Sequence, residues 1–516
     1  MHFATLTEGS RMRLRSRLIP AYFIAVLTSA LLSSGASAAT GTPGAAGIGD
    51  PYFPLDGNGG YDVAHYGLRL TYEPSSDTIS GTATLLAHTT KALSRFNLDF
   101  LLHVDSVKVN NSAAVFVSRR NGELVVTPAA PVAKGGDLLI VVNYRDVPSN
   151  PAYTLNGYNA WTRTSTGAVA VNAPQIAPWW YPSNDHPADK ATYDISVAVP
   201  VGTEVLSNGV LVGTQPTNTG LVRWSWRSVH PQTPYDTTVA IGQYDDLRMT
   251  TTPSGLPFIT AYANDLGGNG DAARASVERT PEIVEFEAEN FGPYPFEAQG
   301  GVVVGAGEAG FAVEDQTRPV YGDKLFRSGA NTYAVVHENA HQWFGDSVSV
   351  TKWSDVWLNE GFARYAEYLW SEHIGEGTAA EVAQYTYDTT DDFTWQIPIS
   401  DPGTDFVFDL AVYDRGAMTL QALRTAVGDA AFFKILRTWA AEHRDGNATT
   451  AQFTALAERV ARRDLGPLFA TWLFSTGKPA VGPNGTADPA TTATPKSFQQ
   501  ISETNTELGA GLHPHL

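Results

Sequence analysis

The stretch VVHENAHQWFGD, from 335 to 346, carries two histidines four residues apart with a glutamate beside the first. On a helix, His337 and His341 lie one turn apart on the same face, so both imidazoles can reach one ion. Zinc suits two neutral imidazoles and one carboxylate and leaves a fourth position for water. Glu338 can face that water as a general base instead of binding the metal. The third ligand must come from elsewhere. Glu360 in WLNEG, with eighteen residues between it and His341, is the best candidate. The alternative is a surface helix that merely carries two histidines. Tyr333, Val335, Val336, Trp343 and Phe344 flank the motif and predict a buried helix. Histidines and a glutamate are costly to bury without a metal or other partners.

Two helices must position these groups. The apolar spacing predicts one over Thr332 to Phe344 and another over Val356 to His373, joined by GDSVSVTKWS. Further helices are expected from about Ala272 to Gly292, Ala411 to Val427, Ala430 to His443 and, more weakly, Ala451 to Leu473. GGVVVGAGEAGFAVEDQTRPVY between them reads as strand and loop. From Tyr61 to about Tyr244 the period is two, with β-branched and aromatic runs such as HYGLRLTYE and DLLIVVNYR cut by Gly, Pro, Asn and Asp. The fold class is therefore multidomain, an N-terminal all-β domain followed by an α+β domain. The boundaries drawn are 39–58 linker, 59–250 β domain, 251–479 catalytic domain and 480–516 a disordered tail, poor in apolar residues.

The whole chain bounds what else is possible. Its 516 residues carry a net charge of −19 and no cysteine. The charge leaves no basic stripe for nucleic acid. The missing cysteines exclude disulfides, thiolate metal sites and a cysteine nucleophile. RMRLRSR, then LIPAYFIAVLTSALL, then Ala-Ser-Ala at 36–38 read as a signal peptide over 1–38. The alternative, an uncleaved anchor, is disfavoured because the apolar run falls short of the ~20 residues a spanning helix needs. The mature protein is expected to be secreted or extracytoplasmic, bacterial and free of the membrane.

HExxH, eighteen residues, then Glu in WLNEGFA resembles the signature of the gluzincin aminopeptidases, the family of aminopeptidase N and leukotriene hydrolase. AHQWFGD, GYDVAHYGLRLTY, WYPSNDHPADKATYDISVAVP and FGPYPFEAQGG extend the resemblance over most of the chain. It implies a saddle-like β domain, a thermolysin-like catalytic domain, one Zn2+ per chain held by His337, His341 and Glu360, and Glu338 as general base. The large C-terminal helical domain of many members is expected to be missing or reduced. The family binds the substrate's amino terminus with the glutamate of a GAMEN strand. FAVED, Phe311 to Asp315, stands in its place, so Glu314 takes that role, with Glu308 a rival. Only the alanine and glutamate of GAMEN are matched, which leaves subsite details open. Tyr413 in VYDRG resembles the tyrosine that donates to the oxyanion. Ala173 falls where the family has a second amino-terminus ligand, with Gln175 a weak substitute two residues on. Asn339 stands where the family has an apolar residue. Asp346 and Asp355 can orient a ligand histidine or simply cap helices.

The function implied is a zinc aminopeptidase acting on peptides. The alternatives are an endopeptidase with the same zinc chemistry, for which Glu314 must be absent from the cleft, and a non-catalytic exported peptide-binding protein. Epoxide hydrolysis, known in one branch of the family, has no specific support here. The natural substrate, the preferred amino-terminal residue and the oligomeric state stay open.

Overall fold

Alternation builds the first half of the chain, and one bulge shows how tightly it is set. In Tyr61–Glu73 the side chains of Val63, Tyr66, Leu68, Leu70 and Tyr72 are buried while Asp62, Arg69 and Glu73 face out. The phase slips between Val63 and His65, where the pairing with Thr78–Thr89 carries a bulge that returns the apolar set to the core side. The computed structural model describes residues 41–305, 311–486 and 493–512, the last six by backbone alone. The signal-peptide reading over 1–38 and the rival Glu308 lie outside the described residues.

An eight-stranded sheet runs in the order Val210–Pro216, Leu221–Gln232, Ala191–Pro200, Tyr61–Glu73, Thr78–Thr89, Asp137–Asp146, Val104–Val109, Ser112–Ala113. Only Ala191–Pro200 with Tyr61–Glu73 is parallel among these pairs. Two four-stranded sheets complete the β half. The second half opens with a five-stranded mixed sheet, Tyr244–Thr251, Pro257–Ala263, Gln299–Val304, Val320–Gly322 and Ala312–Val313, and continues as helices. The expected order, β domain then α+β domain, is the order found.

Four helices bear on the metal segment: α1 (Thr332–Ala340), α2 (Trp357–Ile374), α3 (Leu410–Val427) and α4 (Phe498–Leu512). α1 stops earlier than its apolar spacing predicts, and His341 is its C-cap residue. A strand, Val348–Val350, and a short 3-10 turn, Trp353–Asp355, occupy the connection to α2.

Three boundaries are corrected. The division at 250 cuts a hairpin, because Tyr244–Thr251 pairs with Pro257–Ala263 in the catalytic half. The linker over 39–58 is structured from 41. Thr42–Pro43 joins a sheet, and the buried Asp50 carboxylate accepts from the N–H groups of Tyr52 (2.8 Å) and Trp353 (2.8 Å) and meets the His186 ring (3.1 Å). The tail over 480–516 is not disordered throughout, since it includes α4. Composition misled here because much of the hold on α4 is polar and carries no apolar periodicity. Ile501 is buried and the Phe498 ring packs edge-on against Tyr385 with centroids 4.5 Å apart, while Thr504 accepts from Asn331 (2.8 Å) and Gln500 donates to the Ala330 carbonyl (2.6 Å).

Candidate metal and peptide site

α1 starts where the Asn331 side chain accepts from the N–H groups of Tyr333 (3.1 Å) and Ala334 (3.3 Å), a side-chain cap that opens the fully buried run TYAVVHENA. On that helix and its C-cap the two imidazoles face Glu360, which sits in the first turn of α2. Nε2 of His337 and Nε2 of His341 each lie 3.4 Å from Glu360 Oε2. Zinc bonds of about 2.0–2.1 Å set tetrahedral donors about 3.3–3.4 Å apart. The two imidazoles and one carboxylate therefore fit a zinc ion by spacing and by donor type. All three are buried.

The other ring nitrogens are also held. His337 Nδ1 meets Glu367 Oε1 at 2.7 Å, and His341 Nδ1 meets the Phe344 carbonyl at 3.1 Å. Such partners fix ring orientation and leave Nε2 for a metal. Neither carboxylate suggested from sequence does this. Asp355 accepts from the Thr450 hydroxyl and backbone N–H, and Asp346 accepts from Gln342 (2.7 Å). Glu367 was missed, although it lies two turns beyond Glu360 on α2 and shares its face. Arg364, one turn before it, binds Glu367 and also reaches Asp414 (3.2 Å), so the ion pairs run from His337 to α3.

Glu314 follows the edge strand Ala312–Val313 and reaches the same centre. Carboxylate or imidazole atoms of Glu314, Glu338 and His341 lie within 4.8 Å of one another. Gln342 clamps this strand to the metal segment: its amide donates to the Glu314 carbonyl (2.8 Å) and accepts from the Thr317 N–H (2.7 Å). Asn339 does find a local partner, donating to the Val335 carbonyl one turn back (2.7 Å). Gln175 belongs elsewhere. Its amide donates to Asp56 (2.6 Å) and accepts from Asn156 and Tyr158 (2.9 Å each), in a pocket of the β half. The reading of Gln175 as an amino-terminus ligand is corrected accordingly.

Tyr413 packs its ring on His337, with centroids 5.9 Å apart and planes 20° off parallel. Two glycines make this possible. A Cβ on Gly416 would stand 2.6 Å from Gly361 Cα, and one on Gly361 2.8 Å from Gly416 Cα. α2 and α3 thus cross backbone on backbone next to Glu360 and one turn after Tyr413. Arg415 secures α3 from the other side, donating to the carbonyls of Trp395, Ile397, Thr471, Trp472 and Ser475.

Charges crowd the centre. Burial pushes the Glu338 carboxyl up to about 8; Glu314 and Glu360 add to this, and the two imidazoles pull against it. Burial would lower His341, yet Glu360 and Glu314 raise it to about 10. Burial opposes ionisation of Glu360, but His341 and His337 hold it down at about 2. Glu314 is raised, chiefly by burial. A dication at the triad would take over the charge that imidazolium otherwise supplies and favour neutral histidines.

Residues 308–472 match the Peptidase family M1 domain, and residues 63–235 match the Peptidase M1 N-terminal domain. The chain is 37% identical over 158 residues to an aminopeptidase N of Lactobacillus helveticus, covering 28% of this chain and 19% of that one. It is 24% identical over 457 residues to aminopeptidase M1 of Arabidopsis thaliana, covering 81% of this chain and 50% of that one. The chain spans about half the length, or less, of these relatives. Among solved structures it is similar to an M1 zinc metallopeptidase of Deinococcus radiodurans, with TM-score 0.74, 26% identity and coverage of 87% of this chain and all of that one. A mutant of that enzyme bound to a Tyr-Ser-Ala substrate matches with TM-score 0.75 and 27% identity, covering 86% of this chain and all of that one.

Proposed function

The chain belongs to the M1 family of zinc metallopeptidases, and from that premise we propose that it is an aminopeptidase that removes single residues from the amino termini of peptides. The observation that carries this is Glu314, a buried carboxylate within reach of both Glu338 and the ligand His341. An anionic group there pairs with a substrate ammonium and stops the chain from running past the metal. The endopeptidase alternative needs that position free.

In this reading His337, His341 and Glu360 hold one zinc per chain, which supplies Lewis-acid activation of water and of the peptide carbonyl when bound. The two possible triads share His341, which supports a single ion. Glu338 takes a proton from the attacking water and delivers it to the leaving amine. A carboxyl raised towards neutral pH suits both halves of that transfer. Tyr413 donates its phenolic hydrogen to the oxygen that gains charge. Arg364, whose guanidinium lies 5.6 Å from the Tyr413 ring, and the stacked His337 hold that phenol in place. Glu314 receives the substrate's amino terminus. Export to an extracytoplasmic space belongs to the same proposal and is supported by the charged, apolar and Ala-Ser-Ala segments of residues 1–38. No helix among the described residues is long and apolar enough to cross a membrane.

The test is zinc-dependent release of single residues. Metal-free protein restored with one equivalent of zinc should regain turnover of an aminoacyl chromogenic substrate. Glu338→Gln should bind zinc equally and turn over at least ~10²-fold more slowly. Turnover that survives both metal removal and Glu338→Gln would overturn the proposal.

A further inference from the structure

The pocket that takes Gln175 away from the metal centre has a chemistry of its own. It is a cavity of about 220 Å³ in the β half, lined by Asp56, Asp99 and Asp185 among others. Asp99 and Asp185 are buried, and Asp56 is half-buried at the rim. Among the described residues no Lys or Arg pairs with any of them. Arg119, whose charge reaches Glu123, is exposed on the turn before it.

Hydrogen bonding leaves acceptors over. One Asp99 oxygen accepts from the Asp185 backbone N–H (2.7 Å) and from Asn58 (2.9 Å), and Asp56 accepts from Gln175 (2.6 Å). Asp185 is only 2% exposed, yet neither of its carboxylate oxygens has a hydrogen-bond partner. The Ile176 N–H beside it lies outside hydrogen-bond geometry. Asn58 Oδ1 and Glu123 Oε1 are buried and unpartnered as well. Buried acceptors without donors are costly, and buried carboxylates without a counter-charge more so.

We propose that this pocket binds a guanidinium group on a short alkyl stem, either a free guanidino compound or an arginine side chain presented by a peptide. Three features select that ligand. A bare metal ion is disfavoured, because no three of these carboxylates bring ligand atoms within 4.8 Å of one another. A planar cation with five donors can instead serve separated acceptors at once. The walls, Leu55, Leu155 and Pro178, give the stem an apolar lining. Burial holds Asp99 and Asp185 well above the usual carboxylate range and pushes Asp56 up to about 8. A bound cation would bring all three down. The site is independent of the aminopeptidase reading, since none of its groups touches the zinc ligands.

Calorimetry on the zinc-loaded protein at pH 8 tests the proposal, with methylguanidinium, acetyl-arginine amide and calcium as separate titrants. Both guanidinium probes lack an amino terminus, and Glu314→Gln serves as a control for binding at the metal cleft. The expected result is 1:1 binding of methylguanidinium, kept in Glu314→Gln and weakened about 10- to 100-fold in Asp185→Asn and Asp56→Asn. Leu155→Trp, which keeps every carboxylate but fills the pocket, should abolish it. Binding of methylguanidinium alone identifies a free guanidino compound as the ligand; binding of both probes identifies a presented side chain. Absence of saturable binding to the wild type would overturn the proposal. So would binding unchanged in Asp56→Asn and Leu155→Trp, or binding of calcium in place of guanidinium.

Discussion

Replacing Gly416 by alanine tests whether the helix crossing sets the catalytic geometry. The added Cβ stands 2.6 Å from Gly361 Cα, where carbon atoms prefer about 3.5–4.0 Å. Both obstacles are backbone, so no side chain can swing aside. α2 and α3 must part by about 1 Å, and the displacement falls between Glu360 on one helix and Tyr413 on the other. Misplacement on that scale costs on the order of 10²-fold in rate. Overpacking costs about 1–3 kcal/mol, while alanine in a helix interior returns about 0.5–1 kcal/mol relative to glycine. A net destabilisation of about 1–2 kcal/mol is expected. The assay is steady-state turnover on zinc-loaded protein, paired with denaturant unfolding. Gly361→Ala should behave alike, because the contact is reciprocal. Full kcat with unchanged stability in either variant would show that the crossing does not set the geometry.

Other expectations rest on single contacts. Tyr413→Phe should lower kcat about 10²- to 10³-fold with little change in KM or zinc content, because the hydroxyl acts on charge that develops late. Glu367→Gln should weaken zinc binding about 10- to 100-fold in a metal-buffer titration, since a neutral amide no longer orients and polarises His337 as a carboxylate does. Asp50 gives a pH signature. Burial alone would raise its carboxyl, but His186 and the N–H groups of Trp353, Tyr52 and Phe53 outweigh it and hold it below 3.8. A depressed folded value means stability that is present above the unfolded pKa and lost as pH falls through the folded one. Asp50→Asn should therefore be less stable than the wild type at neutral pH. The gap between their unfolding curves should close below about pH 4.

The candidate metal triad was legible because its information is local. His337 and His341 declare one helical face, and the spacing to Glu360 reports a second helix. Groups that depend on a third element were not legible. Glu367 becomes a partner of His337 only once α2 lies across α1. The reverse case is Gln175, placed only by standing two residues beyond Ala173, whose side chain the local fold directs to Asp56. The segment around Asp50 reads as a linker by its Gly and Pro content. Part of its order comes from one carboxylate shared between His186 and Trp353, which no periodicity reveals. Asn331 and Thr504 show the same limit, joining α1 to α4 by a side-chain hydrogen bond across 173 residues.

Glu314 is the group proposed to turn a zinc peptidase centre into an aminopeptidase, and two matched peptides put that role to trial. One carries a free amino terminus and the other an acetylated one, with products followed by mass. Stepwise loss of single residues from the free peptide, no cleavage of the acetylated one, and a sharply raised KM for the free peptide in Glu314→Gln are expected. Internal cuts in both peptides by the wild type would contradict the role and leave an endopeptidase.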